Sequence, residues 1–199
     1  MVSNIFFKDR DGQTPLPYEL LKDLKIKSIQ TMGELDEYEE ANIAKGLSWL
    51  IKQKSDPKRY DFWIKLHKKM FEDVWKWAGK IRQHELQNPD FFPPHQIWTG
   101  LRQLEGDLEA WISMKSFPPR EIAARFHERI ETVHPFANGN GRFGRLITDQ
   151  ICSYHSFEIP SWGHSLADKP SERRKAYIQA TVDARRKYDF GSLMDIMYS

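Results

Sequence analysis

The chain has 199 residues, 40% of them hydrophobic, and its 30 basic and 28 acidic side chains leave a formal net charge of only +2. That length and apolar content suit one well-buried domain and exclude a disordered chain, while the near-balance of charge argues against a general nucleic-acid or membrane-surface binder. A lone Cys152, no run long enough to cross a bilayer, and an N-terminus without a leader's apolar core together read as a reduced, cytoplasmic protein.

Residues 1–27 read as an N-terminal arm, with D-G-Q-T-P-L-P supplying turns and 18–26 a short helix. The spacing predicts a helix over 33–54, carried by Leu35, Tyr38, Ile43, Leu47 and Leu50 and weakened by Gly46. S-D-P ends it, and Asp56 before Pro57 is the expected cap of a helix over 60–77, with Phe62, Leu66, Met70, Phe71 and Val74 on its apolar side. Periodicity is lost between Lys80 and Pro94, where Q-N-P-D-F-F-P-P reads as an exposed loop with room for a short β-hairpin. Helical spacing resumes over 97–111 through Leu101, Leu104, Leu108 and Trp111. A further helix begins near Glu121 and buries Ile122, Phe126, Ile130 and Val133.

Pro135 stops that helix at His134, and the chain continues F-A-N-G-N-G-R-F-G-R-L into a helix with Leu146, Ile147, Ile151 and Tyr154 on its apolar side. A glycine turn opening a helix is an anion site, because the first N–H groups lack partners and the helix dipole favours negative charge. Arg142 and Arg145 lie on one side of the first turn and add guanidinium forks suited to phosphate oxygens. His134, available as a neutral base near pH 7, completes a set of residues suited to a nucleotide. Helices over 171–186 and 192–198 close the chain, with no repeat or linker to divide it. An all-α single domain over 1–199 is expected, its core over 57–199 and its motif on a central helix–loop–helix.

The stretch 134–145 resembles the signature of the Fic/DOC family, H-x-F-x-[D/E]-G-N-G-R-x-x-R. It matches at His134, Phe136, Gly139, Asn140, Gly141, Arg142 and Arg145, and differs at Asn138, where an acid is usual. The chain as a whole resembles the small bacterial Fic/DOC proteins called mobile mystery protein B. The resemblance implies a protein adenylyltransferase, moving AMP from ATP to a Ser, Thr or Tyr hydroxyl of a target protein. His134 is then the base, Gly139, Asn140 and Gly141 hold phosphates, Arg142 and Arg145 brace them, and Phe136 anchors the loop. The family's acid helps hold Mg²⁺ (or Mn²⁺), so Asn138 is a weak metal ligand here and leaves two alternatives: a nucleotidyl- or phosphotransferase of altered specificity, or a module that binds nucleotide or a partner without turnover.

The resemblance also implies a brake. Glu40-Ala41-Asn42 is similar to a degenerate inhibitory motif, whose glutamate pairs with the second arginine; Glu40 is the expected residue, with Glu39 and Glu37 as neighbours. Gly79–Arg82 and the irregular stretch after it are similar to a target-docking flap, and Tyr177 and Gln179 to part of a nucleobase pocket. The resemblance is compatible with a toxin–antitoxin setting with a separate antitoxin-like regulator, and with an oligomer. No nucleic-acid partner is expected: the basic runs at 173–175 and 185–187 read as solvated helix faces. His67, His84, His95, His127, His155 and His164 lack zinc-site spacing and read as surface or core histidines.

Overall fold

The computed structural model describes residues 21–199. Among the described residues there are seven α-helices: α1 (Met32–Leu50), α2 (Tyr60–Phe71), α3 (Ile97–Ser113), α4 (Pro119–Val133), α5 (Asn140–Tyr154), α6 (Pro170–Lys187) and α7 (Gly191–Met197). Of the helix expected over 18–26, residues 18–20 lie outside them; no helix runs through 22–26, where the chain turns and Leu24 forms an antiparallel bridge with Trp75. Among the described residues no helix is long and apolar enough to cross a membrane.

α1 starts where its sequence provides a capping box. The Thr31 hydroxyl accepts from Glu34 N–H at 3.2 Å and the Glu34 carboxylate accepts from Thr31 N–H at 3.0 Å. It lies along α2, where the buried Asn42 donates to Lys69 C=O at 3.2 Å and accepts from Asp73 N–H at 2.8 Å. That second bond bears on a difference from expectation: α2 stops at Phe71, six residues short of the predicted end. Backbone groups that would extend it are engaged elsewhere, Asp73 by Asn42, Val74 C=O by Lys25 N–H at 2.8 Å, and Lys76 N–H by Asp23 C=O at 2.9 Å. Asp56 does not cap α2 either. Its carboxylate accepts from Lys58 N–H at 3.0 Å, while Glu105 on α3 reaches across to accept from Tyr60 N–H at 2.9 Å.

α4 and α5 form the centre. One face packs into the larger core with Trp63, Leu66, Met70, Phe71, Leu104 and Leu108; Trp63 and Phe126 meet edge-on at 5.3 Å. The other face packs on α6 and α7 through Ala123, Ala124, Cys152, Tyr177, Ala184 and Leu193. Burying such aliphatic and aromatic side chains contributes about 1.5–3 kcal/mol each, so the loop joining α4 to α5 is anchored at both ends by well-packed helices. Tyr154, expected on the apolar side, is 44% exposed, and Cys152 takes the inward place at the end of α5. Between Lys80 and Pro93 no hairpin forms; the paired residue is Ile81, which makes an isolated antiparallel bridge with Phe136.

Candidate active site

The α4–α5 loop is held by its own side chains. Asn140 closes it into a ring, its amide accepting from Phe136 N–H at 2.9 Å and donating to Phe136 C=O at 2.8 Å. Phe136 is 1% exposed and lies flat on the His67 imidazole, centroids 3.6 Å apart. His67 in turn receives Gly79 N–H on Nδ1 at 3.0 Å, so Nε2 carries the proton and donates to Asn138 C=O at 3.1 Å. Full burial holds its pKa down to about 3, which keeps this two-ended link neutral. Gly139 must be glycine twice over: its φ is +77°, and a Cβ would meet the Phe71 ring at 2.6 Å. Gly141 differs, since a Cβ there would touch only an Arg145 guanidinium nitrogen, at 3.7 Å.

His134 ends α4 in the left-handed region, φ 45° and ψ 59°. Its Nδ1 lies 3.1 Å from Glu131 C=O, an acceptor only, so Nδ1 bears the hydrogen and Nε2 the lone pair. Burial, helped by the Arg82 and Arg185 charges, lowers its pKa to about 4. The imidazole is therefore neutral at pH 7 and can accept a proton. Its carbonyl receives Arg82 Nε–H at 2.7 Å, and its ring lies against Phe91, centroids 3.9 Å apart and planes 14° from parallel. Arg82 also donates to His84 C=O at 2.9 Å and to Phe92 C=O, tying the 82–92 segment to the loop.

The two motif arginines have different surroundings. Arg142 pairs with Glu39 of α1 and lies over the Phe71 ring at 4.9 Å. Glu39 is 5% exposed, and its second oxygen accepts from Trp75 Nε1–H at 2.6 Å. Glu39 thus reaches the motif from the position next to the expected Glu40, and the arginine it meets is Arg142, where a pairing with Arg145 was expected. The reason lies in helix register: Glu39 shares the inward stripe of Leu35, Asn42, Ile43 and Gly46, whereas Glu40, about 100° further round, is half-buried. Arg145 is 3% exposed and hydrogen-bonded to the Tyr177 phenol of α6, with Glu131 as its nearby counter-charge. The Tyr177 hydroxyl donates to His127 Nε2 at 2.6 Å, His127 Nδ1–H to Thr148 Oγ1 at 3.2 Å, and Thr148 to Gly144 C=O at 2.7 Å. Tyr177 therefore supports Arg145 through its phenol oxygen.

The resemblance implies Mg²⁺, and the side chains do not fit a protein-held ion. Asn138 offers one neutral oxygen, already accepting from Gly139 N–H at 2.6 Å. Among the described residues no three His, Cys, Asp or Glu side chains gather as a metal group. His67, Phe91 and Glu131 escaped the sequence reading as site residues, the first two because they arrive from other segments, while Arg82 and Tyr177 were expected in other roles, in a docking flap and a nucleobase pocket.

The chain is similar to known proteins in sequence and in fold. Residues 57–152 match the model of the Fic/DOC family. Protein adenylyltransferase VbhT of Bartonella schoenbuchensis is 29% identical over 156 residues, 75% of this chain and 31% of its own length. Probable protein adenylyltransferase y4lH of Sinorhizobium fredii is 28% identical over 100 residues, 47% of this chain and 52% of its own. The chain thus spans about a third to a half of the length of these curated relatives. Among solved structures, the N-terminal FIC domain of Bep8 from Bartonella sp. 1-1C superposes with a TM-score of 0.68 at 16% identity, covering 88% of both chains. BepC from Bartonella tribocorum, solved with bound AMPPNP, does so at 0.67 and 19% identity, over 94% of this chain and 92% of that one. The motif, the matched stretch and the helical fold agree with one another: residues 57–152 of this chain carry a domain that matches the Fic/DOC family.

Proposed function

We propose that the protein is an adenylyltransferase that moves AMP from ATP to a hydroxyl side chain of a target protein, and that Glu39 holds it in check. One observation carries the reading: His134 is fixed as a neutral imidazole with its lone pair on Nε2, at the mouth of a glycine loop opening α5. The hydroxyl oxygen would attack the α-phosphorus as its proton passes to His134 Nε2. The bond to the bridging oxygen breaks, and pyrophosphate leaves. Such a transfer depends mainly on positioning and charge neutralisation, which the α5 amides, Arg142 and Arg145 would supply. Gly139, Asn140 and Gly141 would line the phosphates, with Phe136 as anchor.

Arg142 already pairs with the Glu39 carboxylate, so a phosphate arriving there would displace or repel a buried negative charge. This supports autoinhibition from α1, with Glu39 in the role expected of Glu40. Asn138 supports a second reading, phosphate transfer, because a cation would have to rest mainly on nucleotide oxygens and water.

The test is to incubate wild-type, Glu39→Ala and Glu39→Ala/His134→Ala proteins with ATP and Mg²⁺ or Mn²⁺ and weigh each intact. AMP added to the Glu39→Ala protein and absent from the double variant is the expected result. Added phosphate would replace the reading with the second one. Bound but unchanged ATP, with no covalent product on self or on proteins of a cell extract, would leave a nucleotide-binding module.

A further inference from the structure

The segment 88–92 lies over His134, and its attachments are more elaborate than a surface loop requires. The Asn88 side chain turns it, accepting from Asp90 N–H at 3.0 Å. Asp90 pairs with Arg186 at 3.0 Å and lies 3.6 Å from Arg185, both at the end of α6. Arg185 is itself fixed by Glu128 at 3.1 Å and Thr132 at 2.6 Å, and its guanidinium lies 5.6 Å from the Phe91 ring centre. On the other side Phe92 N–H donates to Thr132 C=O at 3.1 Å. The two α6 arginines that sequence reads as a solvated basic run are therefore one end of a latch. What the latch presents is Phe91, flat on the imidazole at 3.9 Å.

We propose that Phe91, held by the Asp90–Arg185–Arg186 latch, is a positioning residue: it fixes the plane of the His134 ring so that Nε2 faces the attacking hydroxyl. The inference rests on the adenylyl-transfer reading for its kinetic consequence, but not for its geometry. His134 needs such a partner. Its left-handed backbone carries the ring past the last turn of α4, out of the regular packing of helical side chains. One hydrogen bond, from Nδ1–H to Glu131 C=O, fixes a single point and leaves the ring free to swing about it. A stacked ring removes that freedom and strips water from one face. The charged groups facing the imidazole are Arg82 from the 82–92 segment and Arg185 from α6, both disfavouring a second proton.

The experiment compares Phe91→Ala, Phe91→Trp and Asp90→Asn, each in the Glu39→Ala background, with thermal melts as a check on folding. NMR titration of His134 between pH 5 and 8 and self-labelling by ATP are read on the same samples. In the parent and in Phe91→Trp the imidazole should stay neutral across the range. In Phe91→Ala it should titrate within it, with kcat at least tenfold lower and the KM for ATP within twofold. Asp90→Asn should move both readouts in the same direction by less. A His134 in Phe91→Ala that still does not titrate, or a Trp variant no better than Ala, overturns the proposal. Should the parent transfer no AMP at all, the reaction assignment fails while the titration still decides about Phe91.

Discussion

Glu131 is one polar position among several on α4, yet it lies deep in the site, 9% exposed and with its Oε1 buried and lacking a hydrogen bond. It sits against the Gly144 backbone so closely that a Cβ there would come within 2.3 Å of that oxygen. Burial pushes its pKa up to about 7, against the pull of Arg145 and Arg185. The native carboxyl then holds a proton that the unfolded chain, near 4.5, has already released, so stability falls as pH rises from about 4.5 to 7. Glu131→Gln should abolish that slope and leave the protein more stable at pH 8 by up to about 3 kcal/mol, measured as denaturant midpoints across pH. At Asn138 the prediction concerns charge. Asn138→Asp supplies the carboxylate that a hard cation prefers, and Mg²⁺-dependent labelling should rise several-fold by mass spectrometry, with Mg²⁺-free labelling unchanged. An unchanged Mg²⁺ response would mean that position 138 plays no part in holding the ion.

Periodicity is enough to place most helices, because each buries an apolar stripe at i, i+3 and i+4, as Ile122, Phe126, Ile130 and Val133 do on α4. The signature spacing likewise places His134, Asn140, Arg142 and Arg145 on one loop and the helix it opens. What spacing does not encode is rotation and long-range docking. Glu34, Asp36, Glu37, Glu39 and Glu40 crowd α1, and only packing of Asn42 and Ile43 on α2 decides which points inward. The early end of α2 and the arrival of His67 at the loop depend on partners far away in sequence, so no local window contains them. The α1 register gives a direct test. Glu39→Ala should tighten binding of a non-hydrolysable ATP analogue about tenfold, roughly the 1.4 kcal/mol expected from removing a competing carboxylate. Glu40→Ala should shift the same calorimetric constant less than twofold, and a reversed order would return the brake to Glu40.

At the scale of the whole molecule, the fold is organised around imidazoles that are kept neutral. His67 links α2 to the motif loop, His127 links α4 to α5 and α6, and His134 ends α4; burial depresses their pKa values to about 3, 3 and 4. In the unfolded chain each would bind a proton near pH 6.5, so acid favours unfolding, and the loss begins as pH drops through that value. At pH 5 each histidine costs about 2 kcal/mol, about 6 together, while protonation of Glu131 returns about 2 on going from pH 7. The net loss of about 4 kcal/mol is a large part of the roughly 5–15 kcal/mol that holds a domain folded. The melting temperature should therefore fall steeply between pH 6.5 and 5, and His67→Gln, whose amide can keep one of the two hydrogen bonds, should lose stability at pH 7.5 but show a shallower acid slope. The slope is the discriminating quantity. A protein whose wild-type and His67→Gln acid slopes coincide would not have His67 as the neutral link between α2 and the motif loop.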